Sequence, residues 1–400
     1  MKNWKAIGVA LLVTTLVYSG CSKNQKAPAG EEESPGAQVT AAEPVEKALV
    51  DGCEGNGTLA GAKTAFAAND FKEANRQARC AFNDSVKADP NSPNTEAAFY
   101  AFLSSMALAV ESPQFQYVAD LNIQAKTVFG TDGDPDNLTT QLAAKYPGDG
   151  LVLARNFFKF HEQKGHSISD VVGKAAEFIG ENFDDWHVLL KAMATDPKFI
   201  NSKIPAHFND NSTELVFTFT EASYYLPWVD ALRFAAKVYP YYDLGITNSD
   251  SFADINTLVQ DMNTAPKLLS LKGTANGSAL LPYLDVWLSA YALGAGNVIM
   301  RPPEAWLLSS DLLKDTIPHD FEGQAKMAIF VSQLKDSIRG GTVFLSNSQL
   351  KTGIDLKKMA TELPDSAKVA ENPVEVKGDG LDFRDAFIKE FFKNSVVTRP

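Results

Sequence analysis

Apolar side chains recur at three- and four-residue spacings through most of this chain, and that spacing admits few kinds of fold. Ala74, Ala78, Phe82 and Val86 step at i+4, and Phe99, Phe102, Leu103, Met106 and Val110 share one face of the next segment. Val172, Ala175, Phe178, Ile179, Trp186, Leu189, Leu190 and Met193 make a third stripe. Leu280, Leu284, Trp287 and Tyr291 make a fourth, and Met327, Phe330, Val331, Leu334 and Ile338 a fifth. Phe383, Phe387 and Phe391 repeat at i+4 near the end. A period near 3.6 puts each set on one side of a helix. Asp89-Pro90-Asn91 stops the first stripe, Tyr146-Pro147-Gly148-Asp149-Gly150 breaks the middle, and Gly340-Gly341 sits at the C-cap position of the fifth. Strand-like alternation is confined to Leu215, Phe217 and Phe219 against Val216, Thr218 and Thr220, and to the approach through Pro373-Val374-Glu375-Val376 to Phe383. The spacing predicts a mainly α protein with at most a few short β ribbons.

The first residues read differently. Lys2 and Lys5 precede an apolar run over residues 6–17, the basic and hydrophobic parts of an export signal. A bilayer-spanning helix needs roughly 20 apolar residues, and this run is shorter. It ends at Tyr18-Ser19-Gly20-Cys21, which resembles the bacterial lipobox. The resemblance implies cleavage before Cys21 and acylation of that cysteine, giving a stable lipid anchor; the other reading is a secretory signal with an incidental cysteine. Ser22 and Lys23 follow, rather than the Asp of inner-membrane retention, so the resemblance points to the outer membrane. Residues 22–46 are rich in Ala, Pro, Gly and Glu and nearly free of large apolar side chains. Such a segment cannot bury enough surface to offset chain entropy and reads as a disordered tether, reaching roughly 25–30 Å.

The expected organisation is a signal peptide over 1–20, a lipidated cysteine and tether over 21–47, a helical region over 48–147 and a C-terminal helical domain over 148–400. Loss of the signal with Lys2 and Lys5 takes the net charge from −12 to −14. An acidic body argues against nucleic acid and anionic lipid surfaces as partners, because both select basic patches.

The paired helical segments NDFKEANRQARCAFNDSVKADPN and EAAFYAFLSSMALAV, with small residues at the crossing and a proline-marked turn, resemble a tetratricopeptide repeat. One unit is present, with no second copy at the usual period. The resemblance implies a helical hairpin that packs on neighbours and binds proteins. ELVFTFTEASYYLPWVDALRFAAKVYPYYD, LPYLDVWLSAYAL and DFRDAFIKEFF give the C-terminal part a likeness to uncharacterised repeat-bearing lipoproteins of diderm bacteria, which implies no particular activity.

Two cysteines remain beyond Cys21. In an oxidising envelope Cys53 and Cys80 read as a disulfide, since no further ligands lie close enough for a thiolate metal site. Asp132, Asp134 and Asp136 alternate as in a calcium loop, but Asn137 and Ala143 occupy the places that need Gly and Glu; an acidic surface turn fits better. His161 and His166 stand at i+5 rather than the i+4 of a helical zinc site, so they read as a solvated helix terminus. His187, His207 and His319 lack spaced partners, and nucleophile elbows, phosphate loops and dinucleotide fingerprints are missing from the sequence. No cofactor or metal is expected.

Tyr224, Tyr225, Trp228, Tyr239, Tyr241 and Tyr242 crowd one segment, with Trp287 and Trp306 elsewhere. Most rings at helical spacing belong to a core. Tyr239, Tyr241 and Tyr242, at a helix end, are the candidates for a ligand or partner surface. The sequence therefore predicts a non-enzymatic, lipid-anchored scaffold that binds another envelope protein. A ligand-capture lipoprotein serving an outer-membrane transporter is the alternative, and a hydrolase with an unsignalled site a third.

Overall fold

The computed structural model describes residues 49–125, 138–147, 150–199, 202–203, 216–243, 270–271, 280–300, 321–340, 352–353, 357 and 397–398. Residues 1–48, with Cys21 and the segments read as signal and tether, lie outside them, as do residues 373–391. Helix starts are set by local side chains that take up the unsatisfied N–H groups of the first turn. Thr58 caps α1 (Leu59–Ala67), Asp70 caps α2 (Phe71–Ala88) and Asn94 caps α3 (Thr95–Ala109). Ser112 caps α4 (Pro113–Ala119), with proline in its first turn where no N–H is needed. Then come α5 (Leu138–Lys145), α6 (Gly150–Lys164) and α7 (Ile168–Thr195), the last capped by Ser167. The helices α8 (Phe219–Tyr241), α9 (Leu281–Met300) and α10 (Phe321–Gly340) complete the mainly α fold.

The first three stripes are largely buried, with Val86 and Phe178 half-buried, whereas Leu284, Trp287 and Tyr291 of the fourth and Leu334 of the fifth are half-buried. α3 is covered more completely than its pattern predicted. Phe99, Phe102, Leu103 and Met106 are inside, and so are Ala97, Ala98, Ala101, Ser104, Ser105 and Ala107 on its other sides. The cause is tertiary: α1 and α2 cover one side of α3 while α7 covers another. Alanines at 74, 78, 97 and 101 carry no bulk beyond Cβ, and all four are fully buried among α1–α3. Trp186 of α7 stacks on Phe183 at 4.6 Å, meets Phe102 edge-on at 5.8 Å and donates its indole N–H to Ser105 Oγ at 2.8 Å. One continuous core runs from Val50 past Tyr146 and Phe157 to Leu232 and Ala290, and a smaller cluster joins Leu288 to Val331 and Ile338.

Extended structure is limited, among the described residues, to antiparallel two-residue pairs: Ser202–Lys203 with Val216–Phe217, Tyr242–Asp243 with Ser270–Leu271, and Thr352–Gly353 with Val397–Thr398. The alternation expected through Phe219 and Thr220 ends early, because α8 begins at Phe219. Thr218 and Glu221 form a capping box: the Thr218 N–H donates to Glu221 Oε2 at 2.7 Å, and its hydroxyl donates to the same oxygen. The local cap outweighs the period-2 pattern.

Candidate functional site

Residues 49–58 form an extended strap along α2, and the helix grips it through backbone atoms. Asn83 accepts the Val50 N–H at 2.9 Å and donates to the Val50 carbonyl at 2.7 Å. Arg79 donates to Asp51 O at 2.7 Å, and Arg76 to Glu54 O and Asn56 O at 2.8 and 3.0 Å. Gln77 accepts the Thr58 N–H at 2.7 Å. Cys53 and Cys80 are disulfide-bonded with Cα atoms 4.8 Å apart, within the usual span of such bridges. Gly52 and Gly55 hold φ of +75° and +76°, where side chains are strained, so both glycines are needed for the path.

Beneath the strap, Arg79 forms a buried ion pair with Asp185 of α7, and Asp185 Oδ1 also accepts the Asp51 N–H at 3.3 Å. A second polar seam joins α7 to α8. His187 Nδ1 lies 2.7 Å from Asp230 Oδ1, and Arg233 donates to that oxygen and to Asp184 Oδ1, both at 2.8 Å. Asp230 is almost fully buried, and its Oδ2 has no hydrogen-bond partner. The sequence reading missed both seams. Their signal was there: Asp185, His187 and Asp230 interrupt otherwise apolar helical runs, and a charge in such a place needs a partner on the facing helix.

His161 and His166 overturn the expectation of a solvated helix terminus. His161 is fully buried, and its Nδ1 lies 2.8 Å from Nδ1 of His166. A strict helix would hold residues five apart well around its circumference. Here Gly165 takes φ +67° and the His166 N–H returns to His161 O at 3.1 Å, a Schellman ending that folds one ring onto the other. His161 Nε2 is 3.0 Å from Val118 O, which can only accept, so Nε2 carries the proton. Neutral His161 then accepts at Nδ1 from His166 Nδ1–H. Burial pushes His161 down to about 4, partly offset by its bond to Val118. Tyr117 stacks on His166 at 4.7 Å.

Of the candidate aromatics, Tyr239 and Tyr241 lie on the last turns of α8, and Tyr242 pairs with Leu271 in a ribbon; their side chains lie outside the described residues. Tyr224 is buried and Tyr225 half-packed against the core, as expected of most rings in that segment. The Asp132, Asp134, Asp136 loop, His207, His319 and Trp306 also fall outside. Among the described residues, no group of three or more His, Cys, Asp or Glu is placed to hold a metal ion, and no helix is long and apolar enough to cross a membrane. No hydroxyl or thiol of the described residues hydrogen-bonds to His187. No protein-family model, curated protein or solved structure matches the chain.

Proposed function

We propose that this is a lipid-anchored envelope protein, held at the outer membrane through Cys21, whose helical body is a non-enzymatic docking or assembly scaffold for another envelope protein. The observation that carries the reading is packing order. The helices pack in the sequence α1, α2, α3, α7, α8, α9, α10, each chiefly on the next, with α4 against α7. Helices layered in chain order build long lateral faces suited to partners, as in repeat arrays. The tetratricopeptide resemblance of α2 and α3 agrees with this.

Supporting the compartment, the disulfide is of a kind that persists in oxidising surroundings. Supporting a non-enzymatic role, His187 and Asp230 are spent on each other and on Arg233, as a staple between two helices. The acidic charge supports a protein partner over nucleic acid.

The test is in-cell photocrosslinking from Ile329, a large apolar side chain of α10 at 51% exposure. A discrete protein adduct is expected. Adducts to glycan alone would move the assignment to ligand capture, and no adduct at all would overturn the scaffold reading.

A further inference from the structure

We propose that the strap, residues 49–58, is a thiol-releasable latch: exchange at Cys53 frees it from α2 while the helical body stays folded, and so lengthens the tether. The part about tether length rests on the lipid-anchor reading; the latch itself does not.

Three observations converge on it. First, the strap's hold is asymmetric. Val50 is its one buried side chain, and beyond the disulfide its other contacts are hydrogen bonds between backbone atoms and side chains, buried at Asn83 but exposed or half-buried at Arg76, Gln77, Arg79 and Asp185. Only the two bonds to Asn83 are buried, and exposed bonds such as those of Arg76 and Gln77 open readily once the covalent bond is gone. Second, release strands no buried charge. Arg79 keeps Asp185, Arg76 keeps Glu73 at 2.6 Å, and Asn83 gains water. Third, the two sulfurs differ in access. Cys80 is fully buried in α2, whereas Cys53 on the strap is partly exposed.

Access decides the chemistry. A thiolate of an envelope dithiol reductant attacks Sγ of Cys53, the bond between the two sulfurs breaks, and Cys80 leaves as a thiolate that takes up a proton. The second thiol of the reductant displaces Cys53 from the mixed disulfide, leaving Cys53 as a thiol. The reductant ends as its own disulfide, and the two electrons and two protons it gives up reside on Cys53 and Cys80. With the strap free, the span between Cys21 and α1 gains residues 49–58, on the order of 35 Å of contour at 3.3–3.6 Å per residue.

The experiment uses the full lipidated chain in vesicles, with dithiothreitol as reductant and a glutamate-specific protease as reporter. Cleavage after Glu54, whose carbonyl Arg76 holds at 2.8 Å, should rise at least about tenfold on reduction. The helical circular dichroism signal should be unchanged. Glutathione should be trapped on Cys53. Cys53→Ala/Cys80→Ala should cleave at the reduced rate without reductant. Unchanged cleavage with both thiols titrated free, loss of helix on reduction, or glutathione on Cys80 would each overturn the latch. Release of Cys21→Ser from membranes is scored separately. If that variant stays bound, the anchor fails and the protease readout still judges the latch.

Discussion

Arg79 and Asp185, 106 residues apart in sequence, form a buried ion pair that joins α2 to α7 directly beneath the disulfide-bonded strap. Removing one partner leaves the other charged and desolvated, whereas removing both leaves an apolar seam. Arg79→Met should therefore cost about 3–5 kcal/mol, and Arg79→Met/Asp185→Leu should recover most of that loss. Urea denaturation of the four corners of this cycle measures it. A double-variant loss equal to the sum of the two single losses would show that the pair is not coupled.

The His161 ring supplies a pH signature. Its folded value is about 4, below the unfolded 6.5, so between these limits the unfolded chain binds the extra proton. Its contribution is complete above pH 6.5 and is lost as pH falls toward 4. Between pH 6.5 and 5 the loss should be about 2 kcal/mol. His161→Phe should flatten that part of the profile, in equilibrium unfolding at matched ionic strength.

Two glycines should respond in opposite directions to alanine. A Cβ at Gly57 would lie 2.5 Å from Gln77 O and 2.6 Å from Cys80 Cβ, neither of which is a flexible chain end. Gly57→Ala should destabilise by about 1–3 kcal/mol. Gly173, inside α7, meets nothing within 4 Å, so Gly173→Ala should stabilise by about 0.5–1 kcal/mol. Thermal unfolding of the two variants side by side checks the sign.

The anchor is tested at its own residue. Cys21→Ser should leave the chain unacylated and shift it from the membrane to the soluble fraction. Absence of palmitate label on the wild type, with unaltered fractionation of the variant, would remove the lipoprotein assignment.

Chelation offers a fifth measurement. Treatment with EDTA should leave the melting temperature unchanged. A fall reversed by calcium would assign the metal to Asp132, Asp134 and Asp136.

The helical stripes were legible because periodicity and caps act within a turn or two of chain. Asp70, Asn94, Ser112 and Ser167 each satisfy an N–H three residues on, whatever the rest of the molecule does. Thr218 and Glu221 were equally local, yet the alternating residues around them masked the box. The Cys53–Cys80 pairing was legible by elimination, as the pair left in the body beyond the lipobox cysteine.

Legible in the residues alone are therefore the mainly α character, the helix stops at Asp89, Tyr146 and Gly340, and the pairing of two cysteines. All of these follow from short-range backbone geometry and composition. The enclosure of α3 and the meetings of Arg79 with Asp185 and of His187 with Asp230 arise from packing between distant helices. The burial of His161 against His166 arises the same way. Each of these depends on which helix faces which, and that is fixed by the packing of apolar faces far apart in the chain, so spacing along one helix does not reveal the partner across from it.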